Sequence, residues 1–332
     1  MEISHNIHLY NDDALRLYDN WAVPTVIISD GPYGVNGYKG DLKTPEGLAK
    51  WYEPHIIEWA KKATAQTTLW FWNTEIGWAI VHPVLVANGW EYKTCCIWDK
   101  GMSHIAGNIN TKTLSKLPVV SEVCVQYVKK PTFKVEGKDY LMKEWLLYEW
   151  KRTGLPFRKA NEACGVADAA TRKYLTQCHL WYMPPEDAFE KLVSYANKYG
   201  KEEGKPYFSI NGKEPLTKEE WRKLKAKFHC PMGMTNVWQL SQLSGIERIK
   251  KGTKAVHFNQ KPLKLITETI KMASDENDVV WDPFGGIFTS AIACVNIDRE
   301  CFSAEIDPEM YQNGLLRVQN HIRYITENVP LF

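Results

Sequence analysis

Short β-branched and aromatic runs alternate with longer stretches of helical period through the first 128 residues. The runs at 25–29, 68–72, 94–98 and 122–128 are bounded by turn residues and predict buried strands. Between them, 54–64 and 76–88 carry apolar residues at helical spacing, the second stretch closed by Gly89. Near Lys129 the pattern changes. Residues 139–200 read as short helices broken by Gly154-Leu155-Pro156, Gly165 and Pro184-Pro185, and a polar Lys/Glu-rich stretch continues to about Lys227. Alternation then returns, with a helix over 262–273, a strand over 279–282, a helix over 289–296 and a strand over 301–305. Strands alternating with helices predict an α/β fold with a mainly parallel sheet flanked by helices. The economical arrangement is one α/β domain made from both ends of the chain, 1–130 and 235–332, with a mostly helical domain, 131–234, inserted between them.

Composition refines this only in places. With 332 residues the chain has ample core to fold without disulfides. Its 14 Trp and 16 Tyr suit ring-stacking pockets as well as a core. The net charge of +2 is uninformative as a total, but residues 129–173 hold 11 Lys/Arg against 6 Asp/Glu, and a second basic cluster spans 247–254. Either patch could follow a phosphate backbone or form an ordinary solvated surface. None of the eight cysteines forms a C-x-x-C pair, and several lie in apolar runs. Reduced, mostly buried thiols and no metal site are expected, in a cytoplasmic protein. The start MEISHNIHLYNDD reads as too polar for a signal peptide, and no 18-residue apolar run is present to span a membrane.

Two stretches carry chemistry. The first, ISDGPYGVNGYKGD (28–41), delivers a carboxylate, a rigid turn and an aromatic ring to the end of a buried strand. The second, DVVWDPFGGIFTS (278–290), reads as strand, glycine loop and helix start, the arrangement with which open α/β folds bind ligands at the carboxyl edge of the sheet. Glu305 ends the next strand, 305 − 282 = 23 residues after Asp282, placed to accept hydrogen bonds from ribose hydroxyls. A pyrophosphate loop would show G-x-G-x-x-G and avoid an acid at its mouth. Asp282 would repel phosphate, which disfavours a nicotinamide dinucleotide. A cation-bearing nucleoside without phosphates fits better, and S-adenosylmethionine is one.

Taken together, these stretches resemble the permuted (beta-class) amino-group DNA methyltransferases, in which the catalytic loop precedes the cofactor loop. Asp30-Gly31-Pro32-Tyr33 looks like the family's Asp-Pro-Pro-Tyr motif, and Asp282-Pro283-Phe284-Gly285-Gly286 like its Asp-Pro-Phe-x-Gly motif. The segment His257-Phe258-Asn259-Gln260-Lys261-Pro262 resembles the one that lines the methionine end of the cofactor. The segment 9–15 resembles the one whose acid, here Asp13, with Asp12 and Ala14, reaches the cofactor adenine. Glu122 and Tyr127 fall where the family places a strand beside the target pocket. The likeness covers roughly 7–130 and 235–317. Two positions depart from the pattern: Gly31 replaces a proline, and Phe288 a second loop glycine.

The resemblance implies a Rossmann-like fold and methyl transfer from S-adenosylmethionine to an amine of a base flipped out of double-stranded DNA. Asp30 and the Gly31 carbonyl would accept the two amine hydrogens, Pro32 would stiffen the turn, and Tyr33 would stack on the base. Asp12, Asp13, Ala14, Asn259, Lys261, Asp282, Pro283, Phe284, Gly285, Gly286 and Glu305 would hold the cofactor. Asp at the first motif position favours adenine N6; cytosine N4, or a catalytically silent DNA-binding relative, are the alternatives. The expected setting is a restriction-modification or a phage/host modification system, a cognate endonuclease being a candidate partner in the first, and the protein itself is expected as monomer or homodimer. The inserted segment 157–175 resembles a helix-turn-helix, with Arg158, Lys159, Arg172, Lys173 and Thr176 as DNA-contacting residues, although a plain helical hairpin has the same pattern. The polar loop 100–110 is a candidate to close over DNA or to lie in solvent.

Overall fold

The computed structural model describes residues 2–4, 6–37, 40–102, 105, 113–202, 204–243, 248–251, 254–255 and 259–328. The chain divides into two compact units, Met1–Lys129 with Ala226–Phe332, and Lys130–Lys225.

The first unit opens with strands β1 (Glu2–Ser4), β2 (Ile7–Tyr10) and β3 (Val26–Ser29). Helix α1 (Leu48–Lys62), strand β4 (Thr68–Asn73), helix α2 (Glu75–Ala87) and strands β5 (Trp90–Asp99) and β6 (Ser121–Lys129) follow. The second unit holds a hairpin, β7 (Thr132–Val135) and β8 (Lys138–Leu141), and helices α3 (Met142–Arg152), α4 (Arg158–Cys164), α5 (Glu186–Tyr199) and α6 (Lys218–Arg222). The chain then returns to the first unit with β9 (Val237–Gln239), the two-residue strands β10 (Lys250–Lys251) and β11 (Lys254–Ala255), α7 (Leu263–Ala273), β12 (Val279–Asp282), α8 (Thr289–Asn296), β13 (Glu300–Ala304) and α9 (Pro308–Asn328).

Nine strands form one sheet in the order β1-β2-β13-β12-β3-β4-β6-β5-β9. The outermost β1 and the inner β6 run against the other strands, so the sheet is mainly parallel, as the alternation predicts. Alternating side chains feed two cores. Val26, Ile28 and Val280 point to one face, where they meet Leu265, Ile270, Ala291 and Val318 of α7, α8 and α9. Ile27, Leu69 and Trp281 point to the other, against Tyr52, Ile56 and Trp59 of α1 and Val81 of α2. The result is a three-layer α/β sandwich.

Differences from the expected elements have local causes. Helix α1 starts at Leu48 rather than at 54, and Pro54 lies inside it. Proline suits a first helical turn, and the pattern alone places the start there. β5 begins at Trp90, four residues early, because antiparallel pairing with β6 holds Trp90 opposite Lys129 and Glu91 opposite Val128 despite their mixed polarity. The short β1, β2 and β9 carry too few residues to show a period.

The second unit has its own core, in which the Phe133 ring stacks on Trp145 and Phe189 on Trp221. Glu149, 1 % exposed, accepts from Arg152 at 2.7 Å and from the Phe208 backbone N–H at 2.7 Å, tying α3 to the segment after α5. The second helix expected from about Asp168 is only a short turn. After α4 closes on its C-cap Gly165, the chain makes one wide π-helical turn, Ala170–Tyr174, which carries Arg172 and Lys173. All eight cysteines are unpaired, and five are buried. No helix among the described residues is long and apolar enough to cross a membrane, and no cluster there could hold a metal ion.

Candidate active site at the carboxyl edge of the sheet

Because β2, β13, β12, β3 and β4 run parallel, their carboxyl ends share one edge, and each end delivers a polar residue. In sheet order these are the Asp12-Asp13 turn, Glu305, Asp282, Asp30 and Asn73. The two motif strands are immediate neighbours: Val280 pairs with Val26 and Trp281 with Ile27. The carboxylate from near the start of the chain and the glycine loop from near its end therefore meet across one strand spacing.

They open into a cavity of about 690 Å³. Asp12, Asp13, Ala14, Asp30, Gly31, Pro32, Tyr33, Asn259, Pro283, Phe284, Gly286 and Glu305 line it, twelve of the fifteen residues expected to bind cofactor or target base. The other three, Lys261, Asp282 and Gly285, line a small recess beside it that shares Asp30, Asn259, Phe284 and Gly286. His257 and Phe258 lie outside the described residues. Carboxylates dominate the main cavity: Asp12, Asp13, Asp30, Glu305 and Asp307 face it, with Lys50 as the one lysine among the described residues that line it. Such a cavity repels phosphate and attracts a cation.

Pattern reading missed the wall opposite the loop. Trp51, Pro54 and His55 project from one face of α1, at the i, i+3 and i+4 spacing that would have revealed them had the helix been started early enough. The Trp51 and His55 rings stack at 4.9 Å, and both pack on Phe284. Burial drives the His55 pKa down to about 4, so it is a neutral ring bonded to the Tyr18 hydroxyl at 2.8 Å.

Each acid is held in place. Glu305 accepts from the Gly286 N–H at 2.9 Å and the Asp307 N–H at 2.8 Å, which ties strand β13 to the glycine loop. Asp13 caps the turn Ala14–Arg16 through the Leu15 N–H at 3.0 Å. Asp282 is buried, and burial, reinforced by the nearby Asp30 and Glu305 charges, pushes its carboxyl up to about 7.

The loop after β3 is built around Asp41. Its two oxygens accept from the backbone N–H groups of Tyr33, Gly34, Val35, Gly37 and Leu42, at 2.8 to 3.1 Å. The Pro32 carbonyl is claimed by the Tyr52 hydroxyl at 3.1 Å and the Asn73 amide at 3.0 Å. No described residue donates to the Gly31 carbonyl. A Cβ on Gly31 would lie 2.6 Å from the Tyr52 hydroxyl and 2.9 Å from the Phe284 ring, so the departure from proline here is a fit to this aromatic wall.

Two expected roles change. Lys261 does not face the main cavity. Its ammonium, 3 % exposed, donates to Asp30 Oδ1 at 2.8 Å and lies 3.3 Å from Glu122 Oε2. Burial opposes its charge, but the two carboxylates outweigh burial and hold its pKa above the usual lysine value. Tyr33 is also more enclosed than a stacking platform requires. Its hydroxyl sits between Asp30 Oδ1 at 2.9 Å and Glu122 Oε2 at 3.1 Å, and Lys261 lies 5.2 Å from its ring centre. Glu122 is bonded further to Lys100, so the first residue of the supposed closing loop belongs to the site; 103, 104 and 106–110 lie outside the described residues. Burial works against the Glu122 charge as well, and the Lys261 and Lys100 ammoniums overcome it, leaving its pKa below normal.

Phe288 is the other departure from the pattern. Its backbone takes the left-handed conformation, φ 57° and ψ 45°, in which glycine is at ease. Its fully buried ring points away from the cavity, edge-on to Tyr311.

Fold and site define a ligand-binding α/β protein whose acid-lined cavity receives two loops from distant parts of the chain. The sequence model of a family described as DNA methylase, of N6/N4 type, matches residues 25–315, and the chain belongs to that family. Among curated relatives, the type II methyltransferase M.HinfI of Haemophilus influenzae is 42 % identical over 72 residues, 21 % of this chain and 20 % of its own length. The DNA adenine methyltransferase YhdJ of Escherichia coli is 33 % identical over 73 residues, 22 % of this chain and 25 % of its own. The matches thus span a quarter or less of those two relatives. The solved structure of the cytosine-N4-specific PvuII DNA methyltransferase shares the fold, with a TM-score of 0.56 over 98 % of this chain and 92 % of that one at 12 % identity.

Proposed function

We propose that the protein transfers a methyl group from S-adenosylmethionine to the N6 amine of an adenine flipped out of a specific duplex DNA sequence, as the modifying half of a restriction-modification pair. One observation carries this reading: Asp30 and the Asp282 loop stand at the ends of adjacent parallel strands and open into one acid-lined, aromatic-walled cavity.

The cavity suits such a donor. Its volume lies within the range of about 300 to 1,000 Å³ usual for small-molecule sites. Glu305 faces it with spare lone pairs for ribose hydroxyls, and the turn at Asp12, Asp13 and Ala14 with the Trp51-Pro54-His55-Phe284 wall offers an edge and faces for a purine. Asn259, Asp282 and the Gly285-Gly286 turn would hold the cationic methionine end. When bound, the donor supplies an electrophilic methyl on a sulfonium.

The chain must make an aryl amine nucleophilic. The amine lone pair is delocalised into the ring, and acceptors aimed at its two hydrogens localise it as positive charge develops. Asp30 is one acceptor and the Gly31 carbonyl, bypassed by Tyr52 and Asn73 in favour of Pro32, is the other. Unstacking the base costs a few kcal/mol, recovered in part against aromatic faces. Asp at position 30 is the basis for adenine rather than cytosine N4. Phe288 gives no support to a silent relative, because its ring does not enter the cavity.

DNA reading is assigned to the second unit. Arg158, Arg172 and Lys173 are exposed there, while Lys159 is paired with Glu162 at 2.6 Å, Arg172 with Asp168 at 3.0 Å, and Thr176 is half-buried. Expression in a methylation-deficient host followed by base-resolution mapping tests the whole reading. N6-methyladenine in one sequence context is expected. N4-methylcytosine would overturn the choice of base, and unmodified DNA the activity. Asp30→Ala is expected to bring transfer below detection while S-adenosylmethionine still binds by calorimetry; retained turnover would remove Asp30 from the mechanism.

A further inference from the structure

The acceptor assigned to the target amine is already engaged. Lys261 Nζ lies 2.8 Å from Asp30 Oδ1, where one amine hydrogen would have to point. A lone buried ion pair of this kind would block the site, since an ammonium out of water does not give up its only counter-ion cheaply. Here it has two. Glu122 Oε2 stands 3.3 Å from the same nitrogen, and the other Glu122 oxygen is fixed by Lys100. The ammonium is also flanked by the Tyr33 and Trp72 rings at 5.2 and 5.3 Å, which favour a cation wherever it sits between them. The Tyr33 hydroxyl spans the same two carboxylates.

Resting on the methyl-transfer reading, we propose that Lys261 is a placeholder cation: its ammonium occupies Asp30 while the site is empty and passes to Glu122 when the target amine arrives. Glu122 is then a positioning residue, acting through Lys261 rather than on the substrate. Among the described residues, the charged and titratable groups around the ammonium include Asp30 on the loop after β3, Glu122 on β6, Lys100 after β5, Tyr33 and the buried Cys124 thiol, with Asp282 close enough to feel the Asp30 charge. Two cations balance Asp30 and Glu122, so the transfer moves no net charge into or out of the core.

The test uses the full-length protein and duplex DNA carrying the mapped site. Among the described residues, Glu122→Gln leaves Asp30 as the only carboxylate paired with Lys261, and kcat/KM for DNA is expected to fall at least tenfold with the S-adenosylmethionine Kd within twofold of wild type. Adding Lys261→Met to that variant removes the trapped cation and is expected to restore kcat/KM at least threefold over Glu122→Gln. A purely structural network would make the double variant no faster than the slower single one, and that result would overturn the proposal. If Glu122→Gln does not fold, Lys261→Met alone decides, with 2-aminopurine at the target position reporting base capture. A rise of twofold or more in its emission supports the placeholder, and a loss refutes it. A wild-type protein that modifies no base would instead sink the methyl-transfer reading itself.

Discussion

Asp282 closes strand β12 with a carboxyl pushed up to about 7, so near neutrality it is half protonated until a cation joins it. The native state holds this proton more tightly than the unfolded chain does, where an aspartate titrates near 3.9. Its contribution to stability is therefore full below about pH 4 and is lost as pH rises through 7. Asp282→Asn is expected to be more stable than wild type at pH 8 by on the order of 2–4 kcal/mol, with the gap vanishing at pH 4. The same variant should bind S-adenosylmethionine at least tenfold more weakly at pH 8; calorimetry and chemical denaturation at the two pH values check both. Phe288 poses a similar contest. Glycine would relieve left-handed strain of about 1 kcal/mol but forfeit a buried ring, worth about 3–5 kcal/mol, so Phe288→Gly should lower stability by roughly 2–4 kcal/mol in a denaturant titration. At this scale the letters of both motifs were legible in the sequence because each marks a strand end. The partners were not: nothing local to Lys261 announces Asp30, 231 residues away.

A sheet edge is only as good as the loops it carries, and the loop after β3 hangs on one side chain. Asp41 gathers five backbone N–H groups, and without it the turn holding the Gly31 carbonyl loses its frame. Asp41→Ala is expected to cut methyl transfer about 100-fold, as small misplacements of reacting groups do. Hydrogen exchange at residues 33–37 should quicken while the strands stay protected, and unchanged exchange would deny Asp41 this role. The strand-helix alternation was readable because buried parallel strands are continuous apolar runs. The edge strands and the first turns of α1 were not, since their residues are mixed in polarity and held by partners distant in sequence.

The two units keep separate cores, and the hydrophobic clusters of one contain no residue of the other. Breaking the buried Glu149–Arg152 pair with Glu149→Ala is expected to destabilise the second unit by about 3–5 kcal/mol. Exchange protection should be lost over α3 and α5 while S-adenosylmethionine binding persists; loss of that binding as well would show that the units unfold together. The pairing of β3 with β12 has a consequence in time. Ile27 meets Trp281 across 281 − 27 = 254 residues of chain, a closure among the slowest a domain can make. During synthesis β3 can pair with β4 early, but its other edge stays open until β12 has emerged. The cavity is thus complete only once β12 has joined β3, and on the methyl-transfer reading a chain released before that point would hold Asp30 without the loop that seats the donor.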